Sequence, residues 1–191
     1  MTINKSALEF LLTRRSHSAK GLKEPSPNWE DLQLILTAAV RSPDHGKLEP
    51  WRFLVLKRAA LNRLANQASI RAAELNFSNE DISKIELFFN TPPISIAVIS
   101  SPKKSEKIPN SEQILSSGAV CLALLNASLA SGWGASWVTG WTSRDRPFLE
   151  KSLGLQSHES VSGYIHIGTI GSQPPERPRP DITALTTVIS N

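Results

Sequence analysis

The seven residues 94–100 read Ile-Ser-Ile-Ala-Val-Ile-Ser and form a nearly continuous apolar run. A run of this kind suits a strand that is covered on both faces, and so belongs at the centre of a sheet. A second long segment begins at Asn110 or Ser111 and ends at Ser131. Its apolar side chains predict a helix that is apolar around much of its circumference, which implies deep burial. They are Ile114, Leu115, Val120, Leu122, Leu125 and Leu129.

Periodicity and turn signals predict the other elements. Helices are expected at 6–13, 28–40, 58–75, 79–88 and 144–153, and strands at 51–56, 135–139 and 161–168. Asn28 and Ser143 are suited to cap the helices that follow them. The proline-rich stretch at 173–180 cannot form a regular helix, so we expect the tail to run extended over a surface of this chain or of a partner.

These elements mix without a strict β-α-β alternation. This predicts the α+β class, with helices packed on a mostly antiparallel sheet, and argues against a doubly wound fold. The chain has 191 residues, of which 40% are hydrophobic and 20% charged, as in ordinary globular proteins. We therefore expect a single domain spanning residues 1–191.

The charge balance argues against nucleic acid as the partner. The formal net charge is +4, and the basic residues are scattered rather than massed. The alternative is a small basic domain that stacks bases on tryptophan. The most apolar segment, 118–130, is interrupted by Asn126 and Ser128 and predicts no membrane span.

The single cysteine indicates the compartment. Cys121 lies in an apolar run, where a buried packing thiol is expected rather than a nucleophile. No intramolecular disulfide can form, which fits a reducing cytoplasm. The N-terminal segment lacks a small-residue cleavage site, so no signal peptide is predicted.

Two basic segments are candidates for ligand binding. The first, Arg14-Arg15-Ser16, follows the first helix, and guanidinium forks and hydroxyls suit a phosphate or a polyol. Basic residues at a helix end also complement its dipole, which is the structural alternative. The second, residues 41–53, reads R-S-P-D-H-G-K-L-E-P-W-R-F, a tight loop before a strand. It can face a ligand or serve as a polar surface loop.

Two glycine-containing segments follow. Residues 132–141 hold three tryptophans among glycines, which could line a flat aromatic ligand or simply pack in the core. Residues 166–171, His-Ile-Gly-Thr-Ile-Gly, precede Arg177 and Arg179 and could complete an anion site. The sequence has no P-loop, C-x-x-C or H-E-x-x-H motif, and its four histidines are too scattered to predict a metal site.

In this order, the four segments resemble the nitroreductase family of FMN-dependent NAD(P)H oxidoreductases, especially its short-chain bacterial branch. The likeness rests on R-R-S at 14–16, the 41–53 segment, G-W-G-A-S-W-V-T-G at 132–140 and I-G-T at 167–169. It implies an α+β intertwined homodimer with an extended C-terminal tail and two FMN molecules in clefts at the subunit interface. Each cleft is then built from both chains.

The resemblance also implies which residues bind the cofactor. The FMN phosphate and ribityl chain would be bound by Arg14, Arg15 and Ser16, with Arg177 or Arg179 as a further phosphate ligand. The other subunit would contribute Arg41, His45 and Lys47. The flavin ring system would lie along Trp137, Val138 and Thr139, with Gly168 nearby.

The expected reaction carries hydride from NADH or NADPH through flavin N5 to a small-molecule acceptor such as a nitroaromatic or a quinone. The alternative is a flavin carrier or redox sensor without efficient turnover. The sequence departs from the family at Lys47 and Glu49, where Asn and Gln are usual. A carboxylate cannot donate a hydrogen bond as an amide does, so we expect Glu49 to pair with Lys47 or Arg52 instead.

Overall fold

A computed structural model of the chain describes residues 3–190 and shows an antiparallel sheet with helices on both faces. The strands are β1 (Leu22–Lys23), β2 (Trp51–Leu56), β3 (Ile94–Ser100), β4 (Gly134–Val138) and β5 (Ser160–Ile170). The helices are α1 (Lys5–Thr13), α2 (Trp29–Ala39), α3 (Arg58–Glu74), α4 (Asn79–Asn90), α5 (Asn110–Ala130), α6 (Arg146–Leu153) and α7 (Ile182–Leu185). The predicted α+β class is confirmed.

The longest strand, β5, organises the sheet. Ile165 of β5 is opposite Ile96 of β3 and also opposite Trp137 of β4, so β3 and β4 flank β5 on opposite edges. β2 pairs with the free edge of β3, and β1 pairs with the last residues of β5. Every pairing is antiparallel, as predicted.

Alternate residues of the sheet contribute to two separate cores. On one face, Ala97 and Ile99 of β3 pack with α3, α4 and α6. On the other face, Ile96 and Val98 pack with α2 and α5. All seven residues of β3 are buried, which explains why this strand lacks the polar alternation of a half-exposed one.

The predicted deep burial of the central helix is only half correct. Val120 and Leu124 of α5 are fully buried against the sheet, whereas Leu115 is 73% exposed and Leu122 46% exposed. α1 has no buried residue at all. The apolar faces of α1 and α5 are therefore both open in the single chain. Their most exposed members are Leu8, Leu11, Leu12, Ile114, Leu115 and Leu122.

Among residues 3–190, α5 is the one helix long and apolar enough to cross a bilayer. It has 21 residues, and its most apolar 18-residue window has a mean hydropathy of 1.5 and is 44% buried inside the protein. This helix packs against α2 and against β3, β4 and β5. Contact with the sheet accounts for the buried part of its apolar surface.

Side-chain caps define several helix starts. Asn28 accepts a hydrogen bond from the Asp31 amide at the start of α2, as predicted. The predicted cap Ser143 instead ends a short 3-10 turn. α6 begins at Arg146, because Asp145 accepts a hydrogen bond from the Phe148 amide.

The one cysteine and the tail complete the description. Cys121 is fully buried in the core beneath α2, and burial raises the pKa of its thiol to about 12. After β5, residues 171–181 have no regular secondary structure, and the four-residue α7 follows. Nearly every tail residue is exposed in the single chain.

Candidate functional site

The segment after α1 holds its basic residues in a fixed arrangement. Arg14 closes the helix through its backbone amide, and its Nη2 donates a hydrogen bond of 3.0 Å to Ser16 Oγ. The guanidinium of Arg15 lies 3.3 Å from the Glu176 carboxylate. His17, which comes next, donates its backbone N–H to Ala135 O of β4 and so fastens the segment to the sheet.

An arginine from the tail joins this group. Burial lowers the pKa of Arg14, and the nearby charges of Arg179 and Arg15 lower it further. The Glu176 carboxylate contacts two of these arginines and lies 3.3 Å from Arg15 and 3.2 Å from Arg179. The structure therefore brings Arg14, Arg15, Ser16 and Arg179 together. We call these four residues the arginine cluster.

The arginine cluster fits a phosphate group. Only Arg15 and Arg179 contact the Glu176 carboxylate, and the guanidinium of Arg14 has no carboxylate partner among residues 3–190, so an excess of positive charge remains. Within residues 3–190, the buried Nε of Arg14 has no hydrogen-bond partner. A phosphate would supply both the negative charge and the acceptor oxygens that this cluster lacks. Arg177 lies beside Arg179 on the surface of the tail.

The loop at 41–49 has a strained backbone that Asp44 stabilises. Gly46, Lys47 and Glu49 all have positive φ angles, of 73°, 54° and 47°. Left-handed geometry costs a residue other than glycine roughly 1–2 kcal/mol. The Asp44 carboxylate accepts the backbone N–H groups of Leu48 at 3.2 Å and Glu49 at 2.8 Å, which offsets part of that cost.

The same loop is fastened to α5 by side chains of the helix. Ser116 Oγ donates to Pro43 O at 2.7 Å and accepts from Trp51 Nε1 at 3.2 Å. Glu112, one turn earlier, places Oε2 at 2.7 Å from His45 Nδ1. Sequence reasoning missed both helix residues. The available signal was a pair of polar residues four positions apart on an apolar helix, which places them on one face.

The predicted pairing of Glu49 is wrong. Arg52 forms a bidentate pair with Glu159, and among residues 3–190 the ion pairs include neither Lys47 nor Glu49. Both side chains are exposed, as are Arg41 and His45. Arg41 borders a groove that Leu122 of α5 also lines, so the basic loop lies next to the open apolar face of that helix.

The arginine cluster and the 41–49 loop are separate within one chain. No hydrogen bond or ion pair of the described residues joins them. The resemblance places the two groups in different halves of a dimeric cleft, and this separation is compatible with that arrangement.

The end of β4 presents an aromatic surface. Trp137 is 39% exposed, and its Nε1 donates a hydrogen bond of 3.3 Å to Ser162 O. Its indole lies directly over Gly163, where a Cβ would overlap the ring. Val138 is partly buried against the core on the α3 side, and Thr139 is exposed.

Gly168, the glycine expected near the flavin ring, lies away from this aromatic surface. It pairs with Gly134, at the opposite end of β4 from Val138, about 13 Å along the strand. A Cβ at Gly168 would lie 2.8 Å from Pro93 Cγ, so sheet packing explains the glycine.

Two buried histidines lie under the site. His166 Nδ1 is 2.9 Å from Ser95 Oγ, and burial lowers the pKa of His166 to about 4. Burial is also the main cause of a lowered pKa at His17, with Gln173 opposing the shift and Arg15 adding to it. Both imidazoles are therefore held neutral near pH 7, and no sequence pattern predicted their burial.

Comparison with known proteins identifies the family. The model of the nitroreductase family matches residues 11–169. The chain is 32% identical over 169 residues to "Putative NAD(P)H nitroreductase YdjA" of Escherichia coli K12, covering 85% of this chain and 87% of that protein. It is 34% identical over 173 residues to "Putative NAD(P)H nitroreductase" of Haemophilus influenzae, covering 90% and 91%.

Solved structures show the same fold. A nitroreductase-like protein from Bacillus cereus superposes with a TM-score of 0.82 at 22% identity over 100% of both chains. A nitroreductase from Bacteroides fragilis, solved with bound FMN, superposes with a TM-score of 0.74 at 20% identity over 99% of this chain and 100% of that one. With the family model matching most of the sequence and the fold shared throughout, the chain belongs to the nitroreductase family.

Proposed function

We propose that this protein is an FMN-dependent oxidoreductase that uses NADH or NADPH and works as a homodimer. The observation that carries the proposal is the arginine cluster, an electropositive site beside β4 in which Arg14 Nε has no hydrogen-bond partner in the described part of the chain. The names of the E. coli and H. influenzae relatives, which specify NAD(P)H nitroreductases, support it. So does the FMN in the B. fragilis structure.

The arginine cluster would hold the FMN phosphate, with Arg14 and Ser16 already joined in a preformed hydrogen bond. Arg177 is a further candidate for the same phosphate. Trp137, Val138 and Thr139 would contact the flavin ring, because they lie at and just after the end of β4, next to the segment that His17 joins to this strand. When bound, FMN supplies hydride transfer from the nicotinamide to a small-molecule acceptor. A nitroaromatic or a quinone is the acceptor class we propose.

The second half of each cleft would come from the partner chain. The open faces of α1 and α5 expose large apolar side chains, and such surfaces mark interaction sites. Leu115 lines one surface groove together with His45, so a subunit that covers this face of α5 would also reach the basic loop. Arg41, His45 and Lys47 would then face the cofactor bound by the partner subunit.

The same reasoning extends to domain organisation and location. Both hydrophobic cores pack on one sheet, which supports a single domain over residues 1–191. The lone buried thiol supports a cytoplasmic location, where reduced cysteine is the rule.

The visible absorption spectrum of the purified protein tests the proposal. Flavin bands that bleach when NADH or NADPH is added without oxygen are expected. A protein that binds no FMN on titration would refute it, and bound flavin that neither nucleotide reduces would indicate a carrier or sensor.

Variants sharpen this experiment. Arg14→Ala should weaken FMN binding by about tenfold or more, because a charge-assisted hydrogen bond contributes about 1.5–3 kcal/mol. Lys151→Ala removes an exposed positive charge from α6, far along the chain from the arginine cluster, and should leave FMN affinity unchanged.

A further inference from the structure

The contact between His45 and Glu112 fixes the orientation of an imidazole ring. Nδ1 of His45 lies 2.7 Å from Oε2 of Glu112, although the residues are 67 positions apart. An imidazole nitrogen that faces a carboxylate at this distance carries the proton and donates it. The other nitrogen, Nε2, is thereby directed away from the Glu112 carboxylate.

The backbone beneath the ring is fixed from the same helix. Glu112 lies in the first turn of α5, and Ser116 follows one turn later on the same face. Ser116 holds the carbonyl of Pro43, two residues before His45. One face of α5 therefore fixes both the main chain and the side chain of the loop at this point.

The contact between His45 and Glu112 contributes little to the stability of the fold. The His45 side chain is 66% exposed and that of Glu112 47% exposed, and exposed pairs contribute little to folding. Both residues line the surface groove that includes Leu115, where the proposed partner subunit would lie. In this position, the pair determines which ring nitrogen of His45 would face a neighbouring subunit.

We propose that Glu112 is a positioning residue that holds His45 so that Nε2 faces the FMN bound by the partner subunit. The inference rests on the proposed function, in which His45 reaches that cofactor. A free imidazole would have to be ordered when the cofactor binds, whereas one held by Glu112 is ordered beforehand, which improves affinity.

A double-mutant cycle tests the proposal, with the FMN dissociation constant and the reduction potential of the bound flavin as readouts. His45→Ala and Glu112→Ala should each weaken FMN binding by about five- to tenfold, the loss typical of one hydrogen bond. The double variant should bind no more weakly than His45→Ala, because Glu112 acts only through the imidazole.

A conservative variant and a control variant distinguish loss of the His45 orientation from loss of the fold. Glu112→Gln keeps an oxygen that accepts the Nδ1–H bond, so FMN affinity should stay within about twofold of the unaltered protein. Glu30→Ala removes an acidic side chain from the first turn of α2 and should leave FMN affinity unchanged. Thermal unfolding of each variant reports whether the fold is intact.

The possible failures are distinguishable. An unaltered protein that binds no FMN refutes the proposed function and this inference with it. If that protein binds FMN and Arg14→Ala loses it, but His45→Ala binds normally, only the positioning role is refuted. Additive losses in the double variant, or a Glu30→Ala loss equal to that of Glu112→Ala, also refute the role of Glu112.

Discussion

Arg52 donates two parallel hydrogen bonds to Glu159, with Nε and Nη2 each 2.7 Å from a carboxylate oxygen. The pair joins the start of β2 to the start of β5, and the Glu159 side chain is only 4% exposed. The Arg52 hydrogen bonds are the main reason that the pKa of Glu159 is lowered to about 2, although burial opposes the shift. The Gln156 amide adds to the lowering.

Removing this charge should destabilise the protein in a pH-dependent way. We expect Glu159→Gln to lower the free energy of unfolding at pH 7 by about 1–3 kcal/mol, allowing for the partial exposure of Arg52. A carboxylate with a lowered pKa stabilises the fold above its unfolded pKa, so the difference should shrink as pH falls from about 4.5 to about 2.

Urea unfolding at several pH values measures the effect of Glu159→Gln. The control is Glu150→Gln, which alters an exposed pair with Arg146 and should change stability by no more than about 0.5 kcal/mol. A difference for Glu159→Gln that stays constant from pH 7 to pH 3 would contradict the assigned pKa.

Gly163→Ala should displace Trp137. The new methyl group would overlap the indole, so Trp137 must leave its place over β5 and lose its hydrogen bond to Ser162 O. Overpacking of this kind costs about 1–3 kcal/mol, measured by chemical unfolding. The cost should largely vanish in a Trp137→Ala background, and the neighbouring Ser162→Ala should be nearly neutral. An equal cost in both backgrounds would mean that the clash lies elsewhere.

Leu115→Asp should disrupt the proposed dimer. A charge placed on the open apolar face of α5 would be desolvated at the proposed interface, so we expect monomers in analytical ultracentrifugation and weaker FMN binding. Ile70→Asp is the matched control, because Ile70 is 57% exposed on α3, on the other side of the sheet. Dissociation by both substitutions, or by neither, would argue against α5 as the interface.

Glu176→Gln should tighten FMN binding by about two- to fivefold. Glu176 contacts Arg15 and Arg179 and so competes with a phosphate for the same guanidinium groups. Fluorescence titration with FMN measures the affinity. Asp181→Asn makes the same change of charge in the tail without touching an arginine, and it should have no effect. Weaker binding by Glu176→Gln would instead mean that this carboxylate organises the cluster.

Local patterns were enough to predict most of the fold. The apolar run that became β3 can be buried on both faces only inside a sheet, and Asn28 caps α2 because its side chain reaches the Asp31 amide. The arginine segment was found from residue type alone, since few side chains suit a phosphate as well as Arg does. Periodicity placed α5 correctly but could not reveal that half of its apolar face is open.

The missed features depend on contacts between distant segments. The spacing of Glu112 and Ser116 places both residues on one face of α5. It could not show that the 41–49 loop packs against that face. Arg52 could have paired with Glu49 nearby, but the pairing of strands places Glu159 where it bonds both Nε and Nη2 of the Arg52 guanidinium. The start of α6 was missed by two residues because Asp145 and Ser143 are both good caps.

The buried position of Cys121 makes it possible to label this protein at a single chosen site. The thiolate is the form that reacts with thiol reagents, and a fully buried thiol with a pKa of about 12 offers almost none at neutral pH. A second cysteine placed on the exposed tail, for example by Thr187→Cys, would then be the one site that a maleimide dye or a nitroxide spin label modifies. Label-to-label distances between two chains would report where each tail lies.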